Sequence, residues 1–306
     1  MTPALLNAED TAACMPWELL VSEIVLLLAD SSVKVPVRQV QALAGGARLF
    51  VMPALDSRVA IAKLITFTPA NVGSLLPTIQ GDVVVFDVAT GQRKLILDGP
   101  TVTARRTAAV TVLAAQRLAR CPQGPLLIVG AGVQGKAHLQ AFAEVLSVKH
   151  VMVASRNPAS AQALVTYARS LGLQAQVVAD ANAALADCPL AVTCTPAGDV
   201  VLNTLPHKDG FISAVGAFTP EMVELSTLLC QHIATYGSVF LDTLDAVHEA
   251  GDLLQAGLDV GRFATLADVV HHDMHPPAGP VLFKSCGWAG WDLAAARLAL
   301  QRQSSQ

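Results

Sequence analysis

Charge is scarce in this 306-residue chain: Asp, Glu, Lys and Arg together make up 14% of it, and the net charge is −4. No run of lysine or arginine occurs, which argues against nucleic acid as a partner. Long hydrophobic runs are also missing. Apolar residues reach 53%, yet unbroken stretches such as Ile24 to Ala29 extend about six residues, against the roughly 18 that a membrane-crossing helix requires. No membrane partner is expected. The six cysteines, Cys14, Cys121, Cys188, Cys194, Cys230 and Cys286, include no C-x-x-C pair, which excludes a disulfide framework or a zinc site of the usual spacing and suits buried, reduced thiols. The opening MTPALLNAED lacks the basic and apolar regions of a secretory leader, so a cytoplasmic protein is expected. No internal repeat or low-complexity segment is present apart from the polar QRQSSQ tail. So much apolar surface with so few charges predicts a partner subunit covering part of the surface, hence a homo-oligomer.

What is present organises into two domains, the number the length suggests. Helical spacing opens the chain, with Asn7 as a cap and Pro16 ahead of a second apolar stripe. Between Val33 and Leu97 short apolar and β-branched runs follow: VKVPVRQVQ, RLFVMPAL, RVAIAKLITF, GDVVVFDV and RKLILDG. Ala89 to Gln92 reads as a hairpin turn, so an antiparallel or mixed sheet is expected. An alanine-rich helix from Thr101 to Arg120 and the punctuation CPQGP place a boundary near residue 120. Beyond it strands alternate with helices: Leu126 to Val129, a helix from about Gln134, Val151 to Ala154, a helix from Pro158 to Leu171, then Gln174 to Val178, Leu190 to Cys194, Phe211 to Val215 and Val239 to Leu241. That alternation predicts an α/β fold, a doubly wound parallel sheet over residues 121–286. The first domain, 1–120, is expected to be α+β and to be completed by a returning helix at about 287–306.

The stretch LLIVGAGVQG carries the first chemical signal. Gly130, Gly132 and Gly135 follow an apolar strand and open a helix, with the next strand, HVMVAS, inside one unit of about 30 residues. In that context Gly130 makes the tight turn, Gly132 admits a pyrophosphate to the backbone, and Gly135 lets helix pack on strand. Val133 and Gln134 lie at the helix N-terminus, whose free N–H groups face the anion. After the second strand, where an NAD site usually carries an acid for the ribose 2′-hydroxyl, this chain has Ser155, Arg156 and Asn157. A hydroxyl and a guanidinium suit a 2′-phosphate, which favours NADPH over NADH.

Taken in order, VPVRQ, AKLITFTPAN, LPTIQGDVVVFDVATG, RRTAA, GAGVQG, VTCTPA, AVGAFTPEMVEL and FKSCGWAGWDLAAA resemble the ornithine cyclodeaminase/mu-crystallin family, which includes ketimine and pyrroline-carboxylate reductases. The resemblance spans nearly the whole chain. It implies that Arg38, Lys63 and Arg106 converge on the carboxylate of an amino or imino acid with Thr78 nearby. It also implies cofactor contacts from Thr193, Thr195, Lys284 and Ser285, and a dimer built through the sheet-rich domain. The residues themselves agree with such a clamp, because each cation sits in an apolar neighbourhood and a buried cation needs an anionic partner. Arg105, beside the motif arginine, reads as structural.

Cyclodeaminases resemble the AVGAFTPEMVEL segment but carry an aspartate where this chain has Phe218. A phenyl ring accepts no proton and holds no ammonium, so the expected task is simpler: NADPH-dependent reduction of a preformed cyclic ketimine, Δ1-pyrroline-2-carboxylate or its six-membered analogue, to proline or pipecolate. Phe218 would line an apolar wall against the ring, and Lys63 could supply a proton if burial beside two arginines lowers its pKa. Ornithine cyclodeamination, alanine dehydrogenation and a non-catalytic ligand-binding role are the competing readings. The HHDMH stretch, His271 to His275, reads as a solvated loop rather than a metal site, and Trp17, Trp288 and Trp291 as core or interface. Glu221 and Glu224 are expected at the start of a short helix, and Asp242 as a helix cap.

Overall fold

The computed structural model describes residues 4–71, 74, 76–196 and 198–304. It divides into two compact units, Met1–Arg106 with Trp288–Gln306, and Thr107–Gly287. The first unit begins with β1 (Ala4–Leu6), α1 (Ala8–Ala13) and α2 (Trp17–Leu28), followed by β2 (Gln39–Ala42), β3 (Arg48–Leu55), β4 (Val59–Phe67), β5 (Ile79–Asp87) and β6 (Arg93–Asp98). These strands form a mixed sheet in the order β1-β6-β5-β4-β3-β2, antiparallel except for the β1–β6 pair. Asn7 caps α1 through the Asp10 N–H at 2.9 Å, and Asp87 closes the β5–β6 turn by accepting from the Thr90 N–H at 2.8 Å. The strand expected across VKVPVRQVQ is shorter than its composition suggested: Lys34 makes an isolated bridge to Leu55 and the strand proper starts at Gln39. Pro36, between them, has no N–H to donate to a ladder.

Strand β4 alternates cleanly. Val59, Ile61, Lys63 and Ile65 are buried on one face, while Leu64 is exposed on the other. A lysine therefore occupies a core position, opposite Met52 on β3 and Val83 on β5, both themselves buried.

Helix α3 (Gly99–Leu118) leads from the first unit into the second. The second unit runs β7 (Leu126–Val129), α4 (Val133–Val145), β8 (His150–Ala154), α5 (Pro158–Ser170), β9 (Gln174–Val177), α6 (Ala181–Leu185), β10 (Leu190–Thr193), β11 (Phe211–Ala214), α7 (Thr227–Tyr236), β12 (Ser238–Leu241), α8 (Gly251–Gln255), β13 (Ala264–Thr265), α9 (Leu266–His271) and β14 (Val281–Lys284). The eight strands are parallel throughout, in the order β13-β12-β14-β11-β10-β7-β8-β9. The winding reverses between β7 and β10, which makes their C-terminal ends the switch point where doubly wound sheets bind ligands. Strand β14 lies between β11 and β12 in the sheet, although VLFK is too short an apolar run to announce a strand by periodicity. A buried hydrogen-bond chain ties α3, α4 and β11: His138 Nε2 lies 3.0 Å from Thr111 Oγ1, which lies 3.3 Å from Ser213 Oγ, while His138 Nδ1 meets the Gln134 carbonyl at 2.8 Å.

At Trp288 the chain returns to the first unit and forms α10 (Ala289–Ser304), which packs on α2, β3 and β4. Arg297 anchors it, with ion pairs to Glu23 at 2.8 Å, Asp30 at 3.2 Å and Asp56 at 3.3 Å. Among the described residues no helix is long and apolar enough to cross a membrane.

Candidate active site

In the first unit the buried face of β4 delivers Lys63 to a carboxylate that no local sequence pattern marks. Lys63 Nζ donates to Asp292 Oδ1 at 3.0 Å, and Arg106 Nε donates to the same oxygen at 3.3 Å. Lys63 is 1% exposed and Asp292 0%. Burial drives the Lys63 pKa down, the attraction of Asp292 offsets part of that, and repulsion from Arg106 and then Arg38 adds to the fall, leaving it at about 8. Arg38, half-buried just ahead of β2, is thus within electrostatic reach of the group. Thr78, half-buried ahead of β5, accepts the Thr68 N–H on its carbonyl at 2.8 Å, and its hydroxyl is not among the groups that Asp292 gathers. Arg105 turns elsewhere: its guanidinium lies 3.9 Å over the Trp17 ring and bonds the Met15 carbonyl. Two cations thus share one buried carboxylate oxygen.

In the second unit the glycine-rich turn lies at the switch point. Gly130 has φ 114°, and a Cβ there would come within 2.7 Å of the Cys194 carbonyl at the end of β10. A Cβ on Gly135 would meet the Gly130 carbonyl at 2.1 Å, so only glycine lets α4 start this close to β7. At Gly132 nothing lies within 4 Å of the Cβ position, and this residue caps α4 with no side-chain hydrogen bond. The first-turn N–H groups of α4, with Val133 exposed beside them, are therefore available to an anion, which is the cradle a dinucleotide pyrophosphate fits. Ser155 and the exposed Arg156 follow β8, adjacent to Gly130 through the Gly130 N–H bond to the Ala154 carbonyl at 2.9 Å. Asn157 has a structural task as well: its side-chain carbonyl caps α5 by accepting from Ala159 and Ser160 N–H groups.

The residues expected at the cofactor from β10 and β14 are tied into a buried network. Glu224, read from sequence as a helix-start acid, is no cap; α7 begins at Thr227 under Ser226. Its carboxylate is buried and accepts from Thr193 Oγ1 at 2.9 Å, Thr195 N at 2.7 Å, Thr195 Oγ1 at 2.8 Å and Gly216 N at 2.7 Å. Burial pushes its pKa up while the Lys284 ammonium pulls it down, and the rise prevails. The hydroxyls of Thr193 and Thr195 are thus turned inward. The Lys284 ammonium likewise donates to Asp252 Oδ2 and to the Ala217 carbonyl, each at 2.6 Å, with no exposed surface. Its charge is met inside the unit. Ser285 Oγ donates to Asp242 Oδ2 at 2.8 Å, and the same oxygen accepts the Gly287 N–H at 2.7 Å, so Asp242 is a buried loop anchor rather than a helix cap. Thr193, Lys284 and Ser285 are buried, whereas Thr195 is half-buried.

Phe218 is half-buried and packs against the apolar core of the second unit. In the HHDMH stretch Asp273 pairs with Arg117, and His272 Nδ1 meets the Asp268 carbonyl. Among the described residues no group of His, Cys, Asp and Glu is arranged to hold a metal ion.

Comparison with known proteins matches residues 26–306 to the model of the ornithine cyclodeaminase/mu-crystallin family. The chain belongs to this family. Among known proteins, Delta(1)-pyrroline-2-carboxylate reductase 1 of Burkholderia multivorans is 35% identical over 296 residues, covering 96% of this chain and 94% of the relative. The Delta(1)-pyrroline-2-carboxylate/Delta(1)-piperideine-2-carboxylate reductase of Azospirillum brasilense is 34% identical with the same coverage. In fold, the chain is similar to the Thermococcus litoralis Delta(1)-pyrroline-2-carboxylate reductase solved with NADH and L-proline: TM-score 0.90, 23% identity, and coverage of 99% of this chain and 98% of that one.

Proposed function

We propose that this protein is a nicotinamide-dependent imine oxidoreductase that reduces Δ1-pyrroline-2-carboxylate to L-proline, and its six-membered analogue to L-pipecolate, with NADPH as reductant. The observation that carries this reading is the Lys63–Asp292–Arg106 group, in which two cations share one carboxylate oxygen inside an apolar strand environment. A substrate carboxylate supplies the anion that such a group attracts, with Arg38 within electrostatic reach of Lys63 and Thr78 given its place by the family resemblance alone. Names borne by relatives at 34–35% identity support the substrate class.

A reduced nicotinamide nucleotide, when bound, supplies hydride to the imine carbon that bears the carboxylate. The chain holds that nucleotide with the Gly130–Gly135 turn and the start of α4, while Ser155 and Arg156 take the 2′-phosphate. Lys63 and Arg106 orient the substrate through its carboxylate, so that the acceptor carbon keeps one position. The imine nitrogen, already protonated as an iminium ion, needs little further acid catalysis. Phe218, in place of the aspartate found in cyclodeaminases, leaves no carboxylate at that position for a substrate ammonium, which disfavours ammonia loss from ornithine. The outer face of the β1–β6 sheet, with Val51, Pro53, Ala62, Val84 and Ile96 only partly buried and Leu64 exposed, supports a homodimer.

The test is oxidation of NADPH and NADH followed at 340 nm with Δ1-pyrroline-2-carboxylate, with L-ornithine plus NAD as the control. Rapid NADPH consumption without ammonia from ornithine is the expected result. Ammonia and proline from ornithine, with an inert imine, would overturn the reading.

A further inference from the structure

Asp292 lies in the first turn of α10, where the helix N-terminus favours a negative charge. Its Oδ1 holds both Lys63 and Arg106, whereas its Oδ2 is buried with no hydrogen-bond partner among the described residues. Asp252, by contrast, satisfies both oxygens, with the Glu224 and Leu225 N–H groups on one and Lys284 on the other. Asp292 instead concentrates its charge on the two side chains assigned to the substrate carboxylate. The aromatic pair Trp288–Trp291, with centroids 4.9 Å apart, stiffens the turn that carries it.

We infer that Asp292 is a positioning residue for substrate binding: by gripping Lys63 and Arg106 through one oxygen it fixes the two cations as a single anion-binding unit. The inference rests on the carboxylate-binding role given to Lys63 and Arg106 above. The charged groups that act on Lys63 are Asp292 from α10, Arg106 from α3 and Arg38 ahead of β2; of these only Asp292 favours the ammonium, against burial and both arginines. Without it burial and both arginines all favour the neutral amine, so the Lys63 charge is lost at lower pH. A neutral Lys63 neither attracts a carboxylate nor repels Arg106, so the unit fails in charge and in geometry together.

The experiment compares the full-length wild type with Asp292→Asn and Asp292→Glu. The first readout is kcat/KM against pH for Δ1-pyrroline-2-carboxylate at saturating NADPH; the substrate's own titration is common to all three proteins and cancels in the comparison. The second is direct titration of Lys63 by NMR of protein carrying 13C at lysine Cε, a tractable spectrum with seven lysines, assigned through Lys63→Arg. For Asp292→Asn the alkaline limb and the Lys63 titration should move together to lower pH by at least one unit. At pH 8, where the wild-type lysine is half protonated, this is about a fivefold or greater loss in kcat/KM, carried by KM with kcat changed less than threefold. Asp292→Glu should return the limb toward its wild-type position while KM stays raised. A Lys63 titration that does not move in Asp292→Asn, or one that moves while the limb stays in place, would overturn the inference. If Asp292→Asn does not fold, an Asp292→Glu protein with wild-type KM and limb would overturn it equally. Should the wild type reduce no cyclic imine, the functional reading fails on its own, and the Lys63 titration in the variant still decides whether Asp292 sets that charge.

Discussion

Lys63 and Asp292 are 229 residues apart in the chain and 3.0 Å apart in the fold. Strand β4 offers the lysine from its buried face and α10 returns from the far end of the sequence to meet it. The Lys63 ammonium is thereby buried beside Arg106 and still balanced by a single carboxylate.

Lys63→Met removes one of the two cations without removing bulk. A charge-assisted hydrogen bond contributes about 1.5–3 kcal/mol, so kcat/KM for Δ1-pyrroline-2-carboxylate should fall roughly 10- to 100-fold, more in KM than in kcat. Initial rates at 340 nm measure it. Undiminished turnover would take Lys63 out of the site.

The same residue sets a pH dependence. With its pKa lowered to about 8 by burial, Lys63 loses its charge as pH rises through that value, and kcat/KM should decline on the alkaline side from there. Its effect on stability has the opposite direction. Between about 8 and the ordinary 10.5 the unfolded chain binds the proton that the folded chain has released, so this residue's cost to folding is full below pH 8 and diminishes above it. Denaturation midpoints at pH 7.5 and 9.5, compared in wild type and Lys63→Met, separate this contribution from the rest.

Arg156→Ala tests the nucleotide assignment. Because the guanidinium is exposed at the end of β8, the substitution should leave folding intact and raise the NADPH KM roughly tenfold or more while changing the NADH KM less than twofold. Equal effects on both nucleotides would remove the 2′-phosphate role.

Glu224→Gln replaces the acceptor of four hydrogen bonds with a group that must offer N–H to donors. The expected loss is about 3 kcal/mol of folding stability, with the urea midpoint as the readout. An unchanged midpoint would show that the loop ends at Thr195 and Gly216 are held by other contacts.

His138 makes the second unit acid-sensitive. Burial lowers its pKa to about 4, against a raising hydrogen bond to the Gln134 carbonyl, so the imidazole is neutral in the fold. Between pH 6.5 and 4 the unfolded chain binds a proton that the folded chain refuses, so stability is lost as pH falls through this window, up to about 3 kcal/mol. Urea titrations at pH 7 and 4.5 should show that part of the loss disappearing in His138→Gln.

Much of this architecture was legible because period and punctuation are local. The alternation in RVAIAKLITF announces β4, Asn7 announces a helix start, and the apolar run into Gly130, Gly132 and Gly135 announces a strand, turn and helix at a doubly wound sheet. Lys63, Arg106 and Arg38 are picked out by the family resemblance, with which their apolar surroundings agree. Asp292 did not, because WDLAAA reads as an ordinary helix start and nothing local shows that its carboxylate faces a strand more than two hundred residues earlier. The buried partners of Glu224 and Lys284 are hidden from the sequence for a related reason. A charged residue near a strand end looks the same in sequence whether its partner is a ligand or a buried group of the protein, and only the fold places Thr193, Thr195 and Gly216 around Glu224 and Asp252 against Lys284. The sequence by itself determined the elements and the glycine-rich turn, since these follow from neighbours a few residues away. The tertiary structure decided which carboxylate each buried charge meets, because compensation of charge inside a protein depends on distance in space.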